Sequence, residues 1–189
     1  GSGILVLSGT NTNTGMVTVS GGTLSIASVS NLGNVSNGVT LAGGTLLSST
    51  ATLTLSNAIT LGAGGGAIAE VNGGTLTLSG VISDGTTVGN LTIGKVGSTG
   101  TVVFTATNTY TGSTTISAGT LQLDTGGSID STSAIIDNAT LTYNNGIINS
   151  AAGITGSGTL NINATSGLKL TGNLALNGDV TVTSGGFIE

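Results

Sequence analysis

Cysteine, proline, histidine and tryptophan are missing from this chain of 189 residues, and its sequence contains no arginine. Without cysteine there is no disulfide framework and no thiolate metal site, although that absence does not fix the compartment. Without histidine or cysteine, the many serines lack the usual partners of nucleophilic chemistry. Only 5% of residues are charged and 2% aromatic, whereas about a quarter of an ordinary globular chain is charged. The basic side chains are Lys95 and Lys169, and the net charge is −5. Phosphate backbones and anionic bilayers are bound by clustered positive charge, so neither nucleic acid nor a membrane surface is an expected partner. No apolar run approaches the ~20 residues that cross a bilayer as a helix. Residues 1–7 lack the basic start and cleavage site of a signal segment, so any export address is expected elsewhere.

What remains is small, polar and aliphatic. There are 35 glycines, 37% of residues are hydrophobic, and mean hydropathy is +0.46. Disordered chains are poor in β-branched residues and rich in charge or proline. This composition is the reverse, and it predicts a folded chain.

Repetition is the strongest signal. Asn11-Thr12-Asn13-Thr14-Gly15-Met16-Val17-Thr18-Val19-Ser20-Gly21-Gly22-Thr23-Leu24-Ser25-Ile26 aligns without a gap to Asn108–Leu123, an offset of 97 residues. After two residues of slippage, residues 39–46 line up with 134–141. Inside the long period is a shorter one. A small residue, Thr and Leu recur at Gly22-Thr23-Leu24, Gly44-Thr45-Leu46, Gly74-Thr75-Leu76, Gly119-Thr120-Leu121, Ala139-Thr140-Leu141 and Gly158-Thr159-Leu160. Spacings include 22, 20 and 19 residues, and longer gaps are expected to span more than one unit or to contain a loop.

Within each unit the alternation has period two. Thr75-Leu76-Thr77-Leu78 puts both leucines on one face and both threonines on the other. Val17-Thr18-Val19, Val39-Thr40-Leu41, Ile59-Thr60-Leu61, Leu168-Lys169-Leu170, Leu174-Ala175-Leu176 and Val180-Thr181-Val182 behave alike. No helical period appears, and glycine is too frequent for helices. A unit of about 20 residues is too small for a propeller blade, and a sandwich needs no self-similar units. A coil with one unit per turn accounts for both observations. Equivalent strands then stack in parallel at ~4.8 Å, leucine on leucine inside and threonine on threonine outside, in roughly nine turns and ~45 Å of rod. Turn asparagines, among them Asn31, Asn34, Asn37, Asn144, Asn145 and Asn149, suit left-handed geometry and hydrogen-bonded ladders.

Residues 108–123, Asn-Thr-Tyr-Thr-Gly-Ser-Thr-Thr-Ile-Ser-Ala-Gly-Thr-Leu-Gln-Leu, resemble the passenger-associated transport repeat of autotransporters. Ile59–Gly66 and Gly73–Ser83 resemble the segments leading into that repeat, and Asn11–Ile26 is a divergent copy with Asn13 in the tyrosine's place. The resemblance implies a right-handed parallel β-helix in a type V secreted passenger, exported through an outer-membrane barrel to the cell surface or beyond. It also implies a scaffold, with receptor-binding or enzymatic parts carried elsewhere.

Asp124, Asp130 and Asp137 are the densest acids, but no one-turn spacing stacks them, and their neighbours are turn residues. The run Gly62–Gly66 lacks the aspartate of a calcium-binding β-helix repeat, since Ala67, Ile68, Ala69 and then Glu70 follow it. It also lacks the Lys-Ser/Thr of a phosphate cradle. Lys95 and Lys169 read as solvated charges that discourage sideways association. Thr-x-Thr pairs at Thr52–Thr54, Thr75–Thr77, Thr140–Thr142 and Thr181–Thr183 suggest an ice-binding array of the kind some antifreeze solenoids carry. Leu47, Gln122 and Asn161 break it, and strand propensity alone selects threonine there. Tyr110 and Tyr143 are candidate surface contacts, weighed against packing at turns.

The expectation is therefore an all-β chain, residues 1–189 forming one continuous stretch of right-handed β-helix within a longer protein. No catalytic residue, cofactor or metal is assigned, and the chain is not expected to be an enzyme. A structural shaft is one reading; a module that binds sugars, host proteins or sister chains through its lateral face is the other. Both ends start mid-pattern, so further turns of the same chain or end-to-end copies are expected against them.

Overall fold

Alternating Thr and Leu needs a pleated backbone with one dry side, and each such run is a short strand. In the computed structural model, residues 1–71, 73–129, 133–148, 153–163, 168, 170–183 and 188 are described. Asp130, Ser131, Asn149 and Lys169 lie outside the described residues.

The strands form three parallel faces. The first holds Ile4–Leu7, Thr23–Ile26, Thr45–Ser48, Gly66–Glu70, Leu91–Ile93, Thr114–Ile116, Ile135–Asp137, Ile154–Gly156 and Leu174–Leu176, stacked in chain order. The second holds Thr52–Leu55, Thr75–Leu78, Thr101–Phe104, Thr120–Leu123, Thr140–Tyr143, Thr159–Ile162 and Val180–Val182. The third begins with Val17–Val19, Val39–Leu41, Ile59–Leu61 and Ile82–Asp84 and continues in Ser128–Ile129 and Ile147–Ile148. The chain visits the first, second and third faces in turn and then climbs. Parallel neighbours cannot be joined by a hairpin, so every strand pairs with one a full circuit away. Eight circuits of roughly 21 residues separate Ile4–Leu7 from Leu174–Leu176, or about 38 Å of axis. That is one circuit fewer than composition and spacing suggest, because two corners are long.

The interior is a set of aliphatic ladders. On the first face Leu24, Leu46, Ile68, Ile93 and Ile116 stack in register. On the second, Leu53, Leu76, Val102, Leu121, Leu141 and Leu160 do so, beside Leu55, Leu78, Phe104, Leu123, Tyr143 and Ile162. Most of these side chains have no exposed surface, and full burial of each is worth about 1.5–3 kcal/mol. In so narrow a coil the ladders make up most of the core, with Leu32 and Tyr110 packed against them from outside the strands.

Three features depart from the sequence reading. The Gly-Thr-Leu triplets do not form one ladder. Thr23-Leu24 and Thr45-Leu46 lie on the first face, whereas Thr75-Leu76, Thr120-Leu121, Thr140-Leu141 and Thr159-Leu160 lie on the second. The 97-residue repeat likewise steps by one face. Residues 17–26 run from third face to first, and residues 114–123 from first to second. Both copies turn the corner on a glycine with positive φ, Gly22 at 71° and Gly119 at 68°, a conformation open to glycine at little cost. The motif is thus a corner with its two flanking strands, and any corner of the triangle accepts it. Finally, the 3-10 turn Val29–Leu32 stands where a second-face strand would lie.

Asparagines lock the circuits together mainly through backbone partners. Asn37 Nδ2 donates to the Asn13 carbonyl (2.8 Å), and Asn57 Nδ2 donates to that of Asn37 (2.9 Å). Asn145 alone among the described non-glycine residues has positive φ, at 63°.

Candidate functional site

A binding face on a coil must come from outward rows. On the second face Thr52, Thr75, Thr101, Thr120, Thr140 and Thr159 form an unbroken outward row. The parallel row runs Thr54, Thr77, Val103, Gln122, Thr142 and Asn161. Gln122 and Asn161 interrupt it as the sequence indicates, and Val103 does too. Leu47 does not, because it belongs to the first face. Two adjacent circuits at most carry a paired Thr-x-Thr array, so the second face presents no extended two-row lattice.

The tyrosines are not surface contacts, which corrects the expectation. Tyr110 has no exposed surface, and its hydroxyl hydrogen-bonds Thr114 Oγ1 at 2.6 Å. Thr114 faces inward, sitting in the ladder between Leu91 and Ile135 with no exposed surface. Tyr143 is an inner-row residue, aligned with Leu123 and Ile162 and 6% exposed. Phase alone gives this reading, since Leu141 and Tyr143 share a side.

The acids are dispersed. Asp124 accepts from Gln122 Nε2 and from Asn144 Nδ2, each at 2.8 Å, between the second and third faces. Asp137 lies between the first and second faces, buried. These two are not brought together. Asp84 accepts from the amide and hydroxyl of Thr111 (2.8 and 2.6 Å) and the amide of Gly89 (3.1 Å). Partial burial pushes its carboxyl up, but those donors together hold it below the ordinary range. Glu70 is buried at the same type of corner as Asp137. No group of three or more metal-ligating side chains gathers among the described residues. Lys95 is partly exposed, and neighbouring Val96 is fully exposed on the long corner after Leu91–Ile93.

Two residues that sequence reasoning passed over carry a structural role. The Asn11 amide donates to Ser30 O (2.9 Å) and its Nδ2 to Asn31 O (2.6 Å). In the second copy, the Asn108 amide donates to Ser128 Oγ (3.0 Å) and its Nδ2 to Ser128 O (2.9 Å). Asn108 Oδ1 also accepts from the Ile82 amide (2.8 Å), so one side chain spans the gap in the third face as a strand peptide would. Their identity in the two aligned copies was the available signal.

The family described as passenger-associated-transport-repeat matches residues 1–26 and 96–123, which contain both copies. The chain thus resembles the β-helix of an autotransporter passenger. It is 41% identical over 128 residues to the adhesin BmaC autotransporter of Brucella suis biovar 1 (strain 1330). That alignment covers 62% of this chain and 4% of the relative's length. No solved structure matches the chain. Each repeat match ends with the strand after its glycine corner, Thr23–Ile26 or Thr120–Leu123. The unit repeated in this chain is therefore a folding element, built from an asparagine staple, a strand, a corner and a strand.

Proposed function

We propose that this β-helix is an autotransporter passenger shaft, displayed on the bacterial surface or released outside the cell, that extends an adhesive module and has no catalytic role of its own. The observation that carries the reading is the use of both repeat copies for turn-to-turn stapling, with their conspicuous side chains, Tyr110 among them, spent on the interior. Likeness to an autotransporter adhesin supports the surface location. The dispersal of Asp84, Asp124, Asp137 and Glu70 over separate corners supports a non-catalytic role, because acid–base chemistry needs two groups within reach of one substrate.

The shaft's immediate partners are further circuits of the same coil or end-to-end copies. Likeness to a stretch amounting to 4% of a far longer autotransporter adhesin supports the first of these. Host proteins or sugars would meet the adhesive module.

Removing residues 120–158 tests the reading. It takes out two circuits in register, bringing Gly119 directly before Thr159. Cells displaying a passenger that contains this coil should adhere undiminished after the deletion. Loss of adhesion with the passenger still displayed would instead assign binding to the lateral face.

A further inference from the structure

Two carboxyl groups are turned into the coil at the corner between the first and second faces. Glu70 ends the strand Gly66–Glu70 and follows Ile26 and Ser48 in an inward row. Asp137 ends Ile135–Asp137 and takes the next place after Ile68, Ile93 and Ile116 in an otherwise aliphatic ladder. Their exposures are 1% and 0%. Each uses one oxygen to cap its own corner: the Gly74 amide donates to Glu70 Oε2 at 2.9 Å, and the Ala139 amide donates to Asp137 Oδ1 at 3.1 Å. The other oxygen of each, Glu70 Oε1 and Asp137 Oδ2, is buried without a hydrogen-bond partner. In both cases the next circuit supplies a glycine against the carboxyl. Gly100 abuts Glu70 and Gly158 abuts Asp137, so closely that a Cβ on either would overlap the carboxylate. The same device thus occurs twice on one corner.

We infer that Glu70 and Asp137 are neutral acids in the closed coil and that ionising either carboxyl loosens the corner between the first and second faces. A buried charge with one bare oxygen is expensive, whereas a neutral acid keeps its capping acceptor and gains a donor. Burial pushes the Glu70 carboxyl up against the opposing pull of the Gly74 and Val71 amides. It does the same to Asp137 against the amides of Ala139 and Leu141. No charged neighbour contributes. The strands packed on Glu70, at 45–48, 75–78, 91–93 and 101–104, contain no charged side chain, and Lys95 is two residues beyond the third of them. The strands beside Asp137, at 114–116, 140–143 and 154–156, contain only the Tyr143 phenol.

Raised carboxyls mean that folding takes up protons. The stability they contribute is complete below the ordinary values of 4.5 and 3.8 and is lost as pH rises through their higher values in the coil. Asp84 acts oppositely, its contribution present above 3.8 and lost as pH falls through its lower value. The coil should tighten on mild acidification and weaken only in stronger acid.

The test is urea unfolding of the wild-type chain and the Glu70→Gln/Asp137→Asn double variant from about pH 4, near the ordinary carboxyl values, to about pH 8. Each proton taken up changes the folding constant by about tenfold per pH unit within its window. The wild-type midpoint should fall as pH rises, while the double variant, whose amides keep the capping acceptor, should lose that fall and exceed wild type at the upper end. Parallel midpoint curves would overturn the inference. Should the variant not fold, a carboxyl-carbon NMR titration of the wild-type chain decides. Resonances of Glu70 and Asp137 that stay protonated above the ordinary carboxyl range support the inference, and ordinary titration of both overturns it.

Discussion

At the scale of single residues, the corner glycines and the interior hydroxyls set what this coil tolerates. Gly119 takes φ of 68°, and a Cβ there would also overlap the Gly100 carbonyl of the preceding circuit. Both effects oppose any side chain. Gly119→Ala should therefore lower stability by about 1–3 kcal/mol, read as a drop in the urea midpoint. Gly9→Ala, where a Cβ meets nothing within 4 Å, should leave the midpoint unchanged. Equal effects at the two positions would show that general chain entropy, and not corner geometry, explains the glycine content. Phase makes Tyr143 legible from the sequence as an inner residue, since it follows Leu141 by two. Tyr110 is less so, because it precedes a strand and its burial depends on Thr114 facing inward to receive its hydroxyl. Glu70 and Asp137 were legible as residues but not as buried ones. Period-two phase sets them on the side of Ile68 and Ile135, but each ends its strand, where the sequence does not tell whether the backbone turns before or after the carboxyl.

At the scale of elements, each strand divides its work between two rows. Leu121 has no exposed surface and lies between Val102 and Leu141, so Leu121→Ala should cost about 2–5 kcal/mol. Thr120→Ala, one residue earlier on the outward row, should cost under about 1 kcal/mol. Comparable losses would mean that the outer threonines, and not the inner ladder, bind circuit to circuit. The alternation that identifies these strands was plain in the sequence. Their assignment to faces was not. Thr23-Leu24 and Thr75-Leu76 are the same dipeptide after the same glycine, yet they occupy different faces. The triangle presents three similar corners, and the motif fits each. Only the accumulated length between copies decides which corner is reached. The long corners at 85–90 and 94–100 supply residues that a count of regular units cannot anticipate.

For the whole molecule, one axial repeat governs everything else. Circuits of unequal length rise by the same step: Thr75 pairs with Thr101 after 26 residues, and Thr101 with Thr120 after 19. Extra residues go sideways into corners, never along the axis, which is what a shaft requires if its reach is to depend on circuit number. The most direct test is a pair of distance measurements between spin labels on the second face. In Thr52→Cys/Thr159→Cys the labels are separated by five strand steps, about 24 Å. In Thr75→Cys/Thr120→Cys they are separated by two, about 10 Å. Parallel stacking predicts two narrow distributions in that ratio after allowance for the label arms. Broad distributions, or distances unrelated to the number of steps, would contradict the stacked coil on which the shaft depends.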